Sequence, residues 1–149
     1  MGVADDIDAM NKEIRRCDRC GLAKSRKNAV CGEGDPSAQL MLVAQAPGEN
    51  EDREGIMFIG PSGMVLNEML SRIEINRKDI FMTNLIKCLL PKNRKPKADE
   101  IETCGRFLER EIAAVKPAIL VPLGYYATRY IFRKYGIACP SKAEFHSVY

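Results

Sequence analysis

The chain has 149 residues, 46% of them hydrophobic, and its 23 Lys and Arg against 20 Asp and Glu leave a formal net charge of +3. That length fits one domain whose core can fold without disulfide staples, and so small a charge excludes arguing a nucleic-acid partner from net charge alone. The opening MGVADDIDAM shows no apolar run or basic flank, Asp6 stands where a myristoylation motif needs Ser or Thr, and no stretch approaches the roughly 18 apolar residues of a membrane span. The expectation is a cytoplasmic protein with no membrane partner, whose six cysteines are reduced, metal-bound or buried rather than disulfide-paired.

In chain order, residues 5–16 place Ile7, Met10 and Ile14 at helical spacing. The apolar run QLMLVAQ, 39–45, reads as a buried strand that ends in the loop APGENED. Ser62 is the expected N-cap of a helix carrying Met64, Val65, Met69 and Ile73. DIFMTNL, 79–85, is a second strand and runs into the basic, Pro-containing loop PKNRKPK, 91–97. A third helix covers 97–115, with Ile101, Phe107, Leu108, Ile112 and Val115 in register; Pro117 separates it from the strand AILVPL, 118–123, and Gly124 precedes a helix with Tyr126, Tyr130 and Ile131. Strands alternating with helices mean right-handed crossovers onto a parallel sheet, so the fold class is α/β, a three-layer α/β/α domain with a central parallel sheet. Ligands of such sheets bind beyond the carboxyl ends of the strands, where the loops after residues 45, 84 and 123 emerge.

Cysteines supply the first candidate chemistry. Cys17 and Cys20 form a C-x2-C pair, Cys88 follows the second strand, and Cys104 lies in the early third helix, whose antiparallel return brings it back towards that strand end. Four thiolates suit either Zn²⁺ or a [4Fe–4S] cluster, and spacing alone leaves both open, as it leaves open four unconnected thiols. Cys31 and Cys139 are left as spare thiols. Basic residues bunch at Arg15, Arg16, Arg19, Lys24, Arg26 and Lys27 and again at 91–97, two clusters that either straddle a phosphate backbone or are ordinary solvated faces.

The strand-end loops carry the second. Pro47 and Gly48 force a turn that can direct backbone N–H groups at a bound ligand, with the Gln45 amide at the strand's end. Phe58, in the Gly-flanked IMFIG, either plugs the core or offers a stacking face to a base. Asn84 is the polar end of an apolar strand, either a reader of a pyrimidine edge or a turn cap.

Taken together, CDRCGLAKSRKNAVCGEGDPSAQLMLVAQAPGENEDREGIMFIGPSGMVLNEML, TNLIKCLLPKNRKPKADEIETC and PAILVPLG resemble, in order over residues 14–124, the iron–sulfur uracil-DNA glycosylases, family 4 of the uracil-DNA glycosylase superfamily. The resemblance implies hydrolysis of the N-glycosidic bond of deoxyuridine in DNA after base flipping, in base excision repair. It also implies that Cys17, Cys20, Cys88 and Cys104 hold one structural [4Fe–4S] cluster, with zinc the alternative. By the same resemblance, the loop with Gln45, Ala46, Pro47 and Gly48 shapes the uracil pocket, Phe58 stacks on the base and Asn84 reads its polar edge. Glu51 or Asp52 would supply negative charge to an oxocarbenium-like sugar. The implied partner is uracil-containing DNA, met by a monomer. Two departures stand out. Gln45 replaces the carboxylate of the family's first motif, and no His-Pro pair matches its second, since the single His146 lies in FHSVY. The expectation is a single domain, 1–149, that lacks the family's C-terminal strand and second catalytic motif. The alternative is a non-catalytic DNA- or uracil-binding member of the superfamily. A third reading, a nucleotide-binding α/β domain with zinc, finds no GxGxxG or GxxxxGK after the first strand.

Overall fold

The computed structural model of the chain describes residues 2–147; Met1, Val148 and Tyr149 lie outside the described residues. Helix α1, Val3–Arg15, buries the Ile7, Met10 and Ile14 stripe and carries Asp5 and Asp6 in its first turn and Lys12 and Arg15 in its last, the charge order that its dipole favours. A two-residue strand β1, Glu33–Gly34, precedes β2, Leu40–Ala44. A short helix α2, Glu49–Glu54, comes next and leads to α3, Pro61–Arg72. Beyond it lie β3, Phe81–Asn84, the long helix α4, Ala98–Val115, and β4, Ile119–Pro122. Helices α5, Tyr125–Lys134, and α6, Lys142–Ser147, complete the described chain.

Among the described residues the strands form one sheet in the order β1-β3-β2-β4. The three longer strands run parallel as expected, with Met41 registered between Phe81 and Leu120, while β1 pairs antiparallel to β3 at the edge. Strand alternation sorts the core into two layers. Met41, Val43 and Phe81 face α1, α4 and α5 through Ile14, Phe107, Leu108, Ile112 and Ile131; Leu42 and Met82 face α3 through Leu66 and Leu70. The expected three-layer α/β architecture is therefore present.

Two local expectations need correction. Helix α3 begins with Gly60 as N-cap and Pro61 at the first helical position, not at Ser62, because proline's missing N–H and fixed φ suit that first turn. Its named apolar residues Met64, Val65, Met69 and Ile73 are exposed, whereas Gly63, Leu66 and Leu70 face the sheet. The loop after β2 is also shorter than expected, because Glu49, Glu51 and Asp52 suit the first turn of α2.

Candidate functional site

At the carboxyl end of the sheet lies a cavity of about 470 Å³, within the size range of small-molecule sites. Its floor is Ala44, Gln45, Ala46 and Asn84, where β2 and β3 end; Pro47, Gly48 and Glu51 form one wall, and Phe58, Val65 and Met69 another. Leu90, Asn93 and Arg94, from the loop between β3 and α4, close it together with Met57 and Leu123. Seven of the residues singled out in the sequence, Gln45, Ala46, Pro47, Gly48, Glu51, Phe58 and Asn84, thus meet at one surface.

The ladder extends past the strand ends to fix this floor: the Leu85 N–H donates to the Ala44 carbonyl at 2.8 Å and the Ile86 N–H to the Gln45 carbonyl at 2.9 Å. The Gln45 backbone is thereby held, and among the described residues no hydrogen bond occupies its side-chain amide. Asn84 is 3% exposed and its Nδ2 donates to the Met57 sulfur at 3.2 Å. Because a thioether can only accept, this contact sets which end of the amide is nitrogen and leaves the second N–H and Oδ1 for a ligand. Phe58 is half-buried and in the left-handed region at φ +49°, which is costly for a bulky side chain. Helix α3 approaches it so closely that a Cβ on Gly63 would lie 1.9 Å from the Phe58 carbonyl oxygen. Phe58 is therefore a wall of the cavity that also packs against the core cluster of Leu42, Met57 and Leu66.

The two acidic candidates part company. Glu51 lines the cavity, its Oε1 accepting from the Gly48 N–H at 3.2 Å and its Oε2 from the Gly60 N–H at 2.9 Å, so the carboxylate ties the two flanking loops together. A Cβ on Gly60 would lie 3.0 Å from Oε2, so glycine lets the backbone come that close. Asp52 lies outside the cavity, 3% exposed, where its Oδ1 accepts from the Lys27 N–H at 2.9 Å and the Asn28 N–H at 3.2 Å. It braces the segment leading from the C-x2-C pair. His146 sits on α6, exposed, with its ring 5.4 Å from that of Phe145 and away from the cavity.

Behind the cavity, Cys17, Cys20, Cys88 and Cys104 pack into one core cluster, all with free thiols. Among the described residues no group of three or more His, Cys, Asp or Glu is drawn together as a formed metal site. The surroundings nevertheless suit a thiolate-held group: Arg26 Nη1 donates to Cys88 Sγ at 3.2 Å and the Lys87 N–H to Cys104 Sγ at 3.2 Å. Burial pushes the bare Cys104 thiol up to about 12, against the pull of the Lys87 charge. Burial likewise raises Cys88, against the Arg26 hydrogen bond, and charge on Cys20 and Cys17 raises it further, as expected of thiols that share one neighbourhood. Ionised sulfur there would need a cation. Cys31 is buried in the same hydrophobic cluster, its thiol donating to the Asn11 carbonyl at 3.5 Å, whereas Cys139 stands outside it.

Residues 31–147 match the family model of the uracil DNA glycosylase superfamily. The chain belongs to that superfamily. The type-4 uracil-DNA glycosylase of Saccharolobus solfataricus is 45% identical over 131 residues, 87% of this chain and 61% of the relative. That of Sulfurisphaera tokodaii is 44% identical over 133 residues, 89% of this chain and 60% of the relative. The type-4 enzyme of Archaeoglobus fulgidus is 38% identical over 133 residues, 89% of this chain and 67% of the relative. The chain thus spans about three-fifths of the length of the first two.

As a uracil DNA glycosylase superfamily chain, it holds two further site features, one drawn from the basic run 91–97 and one that its sequence did not single out. Arg94 lines the cavity while Nη1 and Nη2 donate to Glu100 Oε2 and Oε1 at 3.0 and 2.6 Å. Beneath Asn84 lies a buried ion pair, Lys87 and Glu111, 2% and 1% exposed. Lys87 Nζ donates to Glu111 Oε2 at 2.6 Å, to Thr83 Oγ1 at 2.6 Å and to the Asn84 carbonyl at 2.8 Å, using all three of its protons. A lysine one residue before a cysteine reads in sequence as one more surface charge; the only available signal was its place in the otherwise apolar run from Leu85 to Leu90.

Proposed function

We propose that the protein removes uracil from DNA, hydrolysing the N-glycosidic bond of a flipped-out deoxyuridine. The observation that carries this reading is the pairing of the Phe58 ring with the oriented Asn84 amide in one cavity. Uracil offers an N3–H donor beside an O4 acceptor, which match the free Oδ1 and the second Nδ2 proton of Asn84. Cytosine presents an amine where O4 would be, and the mispaired contact costs on the order of 1–3 kcal/mol.

The chain's own groups divide the work as follows. Gln45 is neutral at any pH, so it positions a water by hydrogen bonding and abstracts no proton. Glu51 contributes negative charge on the sugar side, with Ala46, Pro47 and Gly48 shaping the turn beside it. The Arg94 guanidinium, in the cavity lining, has its charge offset by Glu100 and serves the departing uracil anion as a hydrogen-bond donor through N–H groups outside that pair. Asp52 holds the Lys27 and Asn28 backbone instead of acting on substrate. Cys17, Cys20, Cys88 and Cys104 are the residues that would hold a [4Fe–4S] cluster, zinc being the alternative. When bound, the group cross-links the N-terminal segment to the β3–α4 loop.

We further propose that β4 is not the last strand of the sheet and that a fifth strand and a second catalytic motif belong to the whole protein. In support, among the described residues the outer edge of β4 is unpaired and Ile119 is 59% exposed. A groove of about 470 Å³ also runs beside it between Leu120, Pro122, Ile131 and Phe132. A DNA substrate and six unpaired thiols support a cytoplasmic protein. The Gln45 substitution favours a second reading, a superfamily member that binds uracil-containing DNA without cutting it.

The test is strand cleavage by alkali after incubating anaerobically purified protein with a single-stranded oligonucleotide holding one uracil. Excision is expected, with Phe58→Ala and Asn84→Asp each slower by roughly 5- to 150-fold, the equivalent of about 1–3 kcal/mol. Wild-type rates in both variants would sink the pocket assignment. Salt-sensitive binding without cleavage would favour the second reading.

A further inference from the structure

The loop that presents Phe58 is gripped from outside the cavity. The Met57 N–H donates to Glu33 Oε1 at 3.2 Å, the Met57 carbonyl accepts from Arg77 Nη2, and the Phe58 carbonyl accepts from Arg77 Nη1 at 2.9 Å. Asn67 Oδ1 accepts from the same Nη1 at 3.2 Å, and Glu33 Oε2 stands 4.0 Å from Nη2. One guanidinium thus spans two successive carbonyls, and between them lies the left-handed φ of +49° at Phe58. Arg77 does not line the cavity. Glu33 comes from β1, the edge strand whose pairing with β3 places it beside this loop.

We propose that Arg77, backed by Glu33, is a positioning residue for the stacking ring: it holds Phe58 in the strained conformation that keeps the aromatic face at the cavity before a base arrives. The inference rests on the reading of this cavity as the uracil pocket. A non-glycine residue persists in the left-handed region only where its surroundings over-determine it, and two fixed carbonyl acceptors on a planar fork do so. A ring already in place spares the bound state the cost of ordering it, so Arg77 acts on capture of the base more than on bond cleavage.

The test is single-turnover excision of uracil from a single-stranded oligonucleotide by the full chain, across wild type, Arg77→Ala, Phe58→Ala and the double variant. Arg77→Ala is expected to raise the half-saturating concentration about tenfold with the maximal rate little changed, and to add nothing in the Phe58→Ala background. Arg77→Lys should recover part of the loss, since an ammonium can still serve one carbonyl. An equal effect of Arg77→Ala in both backgrounds, or a fall in maximal rate alone, would overturn the inference while leaving the pocket reading intact. Should circular dichroism show Arg77→Ala unfolded, Arg77→Lys replaces it in the cycle with the same two outcomes. If wild type binds the uracil oligonucleotide without cutting it, the same cycle is read on its dissociation constant with the same two outcomes; a wild type that neither excises nor preferentially binds uracil would overturn the pocket reading and this inference with it.

Discussion

Replacing Glu111 by Leu strands the Lys87 ammonium in a place that water does not reach. The pair is 2.6 Å apart with side chains 2% and 1% exposed, so its attraction is little screened, but so is the cost of having dehydrated both ions. Removing one partner of such a pair costs about 3–5 kcal/mol, whereas replacing both by apolar groups of similar volume is neutral or stabilising by about 1–4 kcal/mol. Glu111→Leu should therefore lower the melting temperature by roughly 6–20 °C, at about 2–4 °C per kcal/mol for a chain of this size. Lys87→Met with Glu111→Leu should recover most of that loss. Thr83 limits the recovery, because its hydroxyl now donates to Glu111 at 3.0 Å and accepts from Lys87 at 2.6 Å. The assay is thermal unfolding by circular dichroism, with urea titration as the check on free energy. A Glu111→Leu protein within about 1 kcal/mol of wild type, or a double variant as unstable as the single one, would refute the reasoning: the first would mean that the pair is solvated after all, the second that packing and not charge limits the site.

Two further outcomes are expected. Cys104→Ser should abolish a broad absorbance near ~400 nm from anaerobically purified protein, while Cys31→Ser should leave it intact; a colourless wild type that releases zinc to a chelator would replace the cluster with zinc at the same residues. The Arg94 guanidinium holds the Glu100 carboxyl below its ordinary value of 4.5. A depressed carboxyl adds stability that is complete above 4.5 and lost as pH falls through the lower folded value, so Arg94→Ala should raise the acid-unfolding midpoint without altering the neutral-pH spectrum; an unchanged midpoint would count against the pair.

Strands and long helices were legible because their periods are strong. The Ile7, Met10 and Ile14 spacing, the run from Gln39 to Gln45 and the 97–115 stripe each became the expected element with ends shifted by a residue or two. A two-residue strand such as Glu33–Gly34 has no period to detect, since it exists through pairing with β3 and not through its own residues. The acidic stretch after Gly48 reads as a loop by composition and folds as α2 because its acids lie at a helix start. In the site, residue types at strand ends located the cavity floor, but they could not divide Glu51 from Asp52. These neighbours point to different partners, a distinction set by helical rotation and by backbone amides that come from 24 and 25 residues away in the chain. Arg77 and Lys87 were unreadable for the same reason: each owes its role to carbonyls that only the folded chain brings to it.

The sheet's register sets an order on how this chain can assemble as it is made. Met41, on the innermost strand, is paired with Phe81 on one side and Leu120 on the other, so its two neighbours are synthesised about forty and about eighty residues later. Until the second arrives, this strand offers an open edge to whatever is nearby, and the loop it must close is among the longest the chain contains. Emergence from the ribosome thus favours β2 docking first with β3, bringing Ala44 beside Asn84, and adding β4 afterwards. The pocket floor is in place before the sheet is finished.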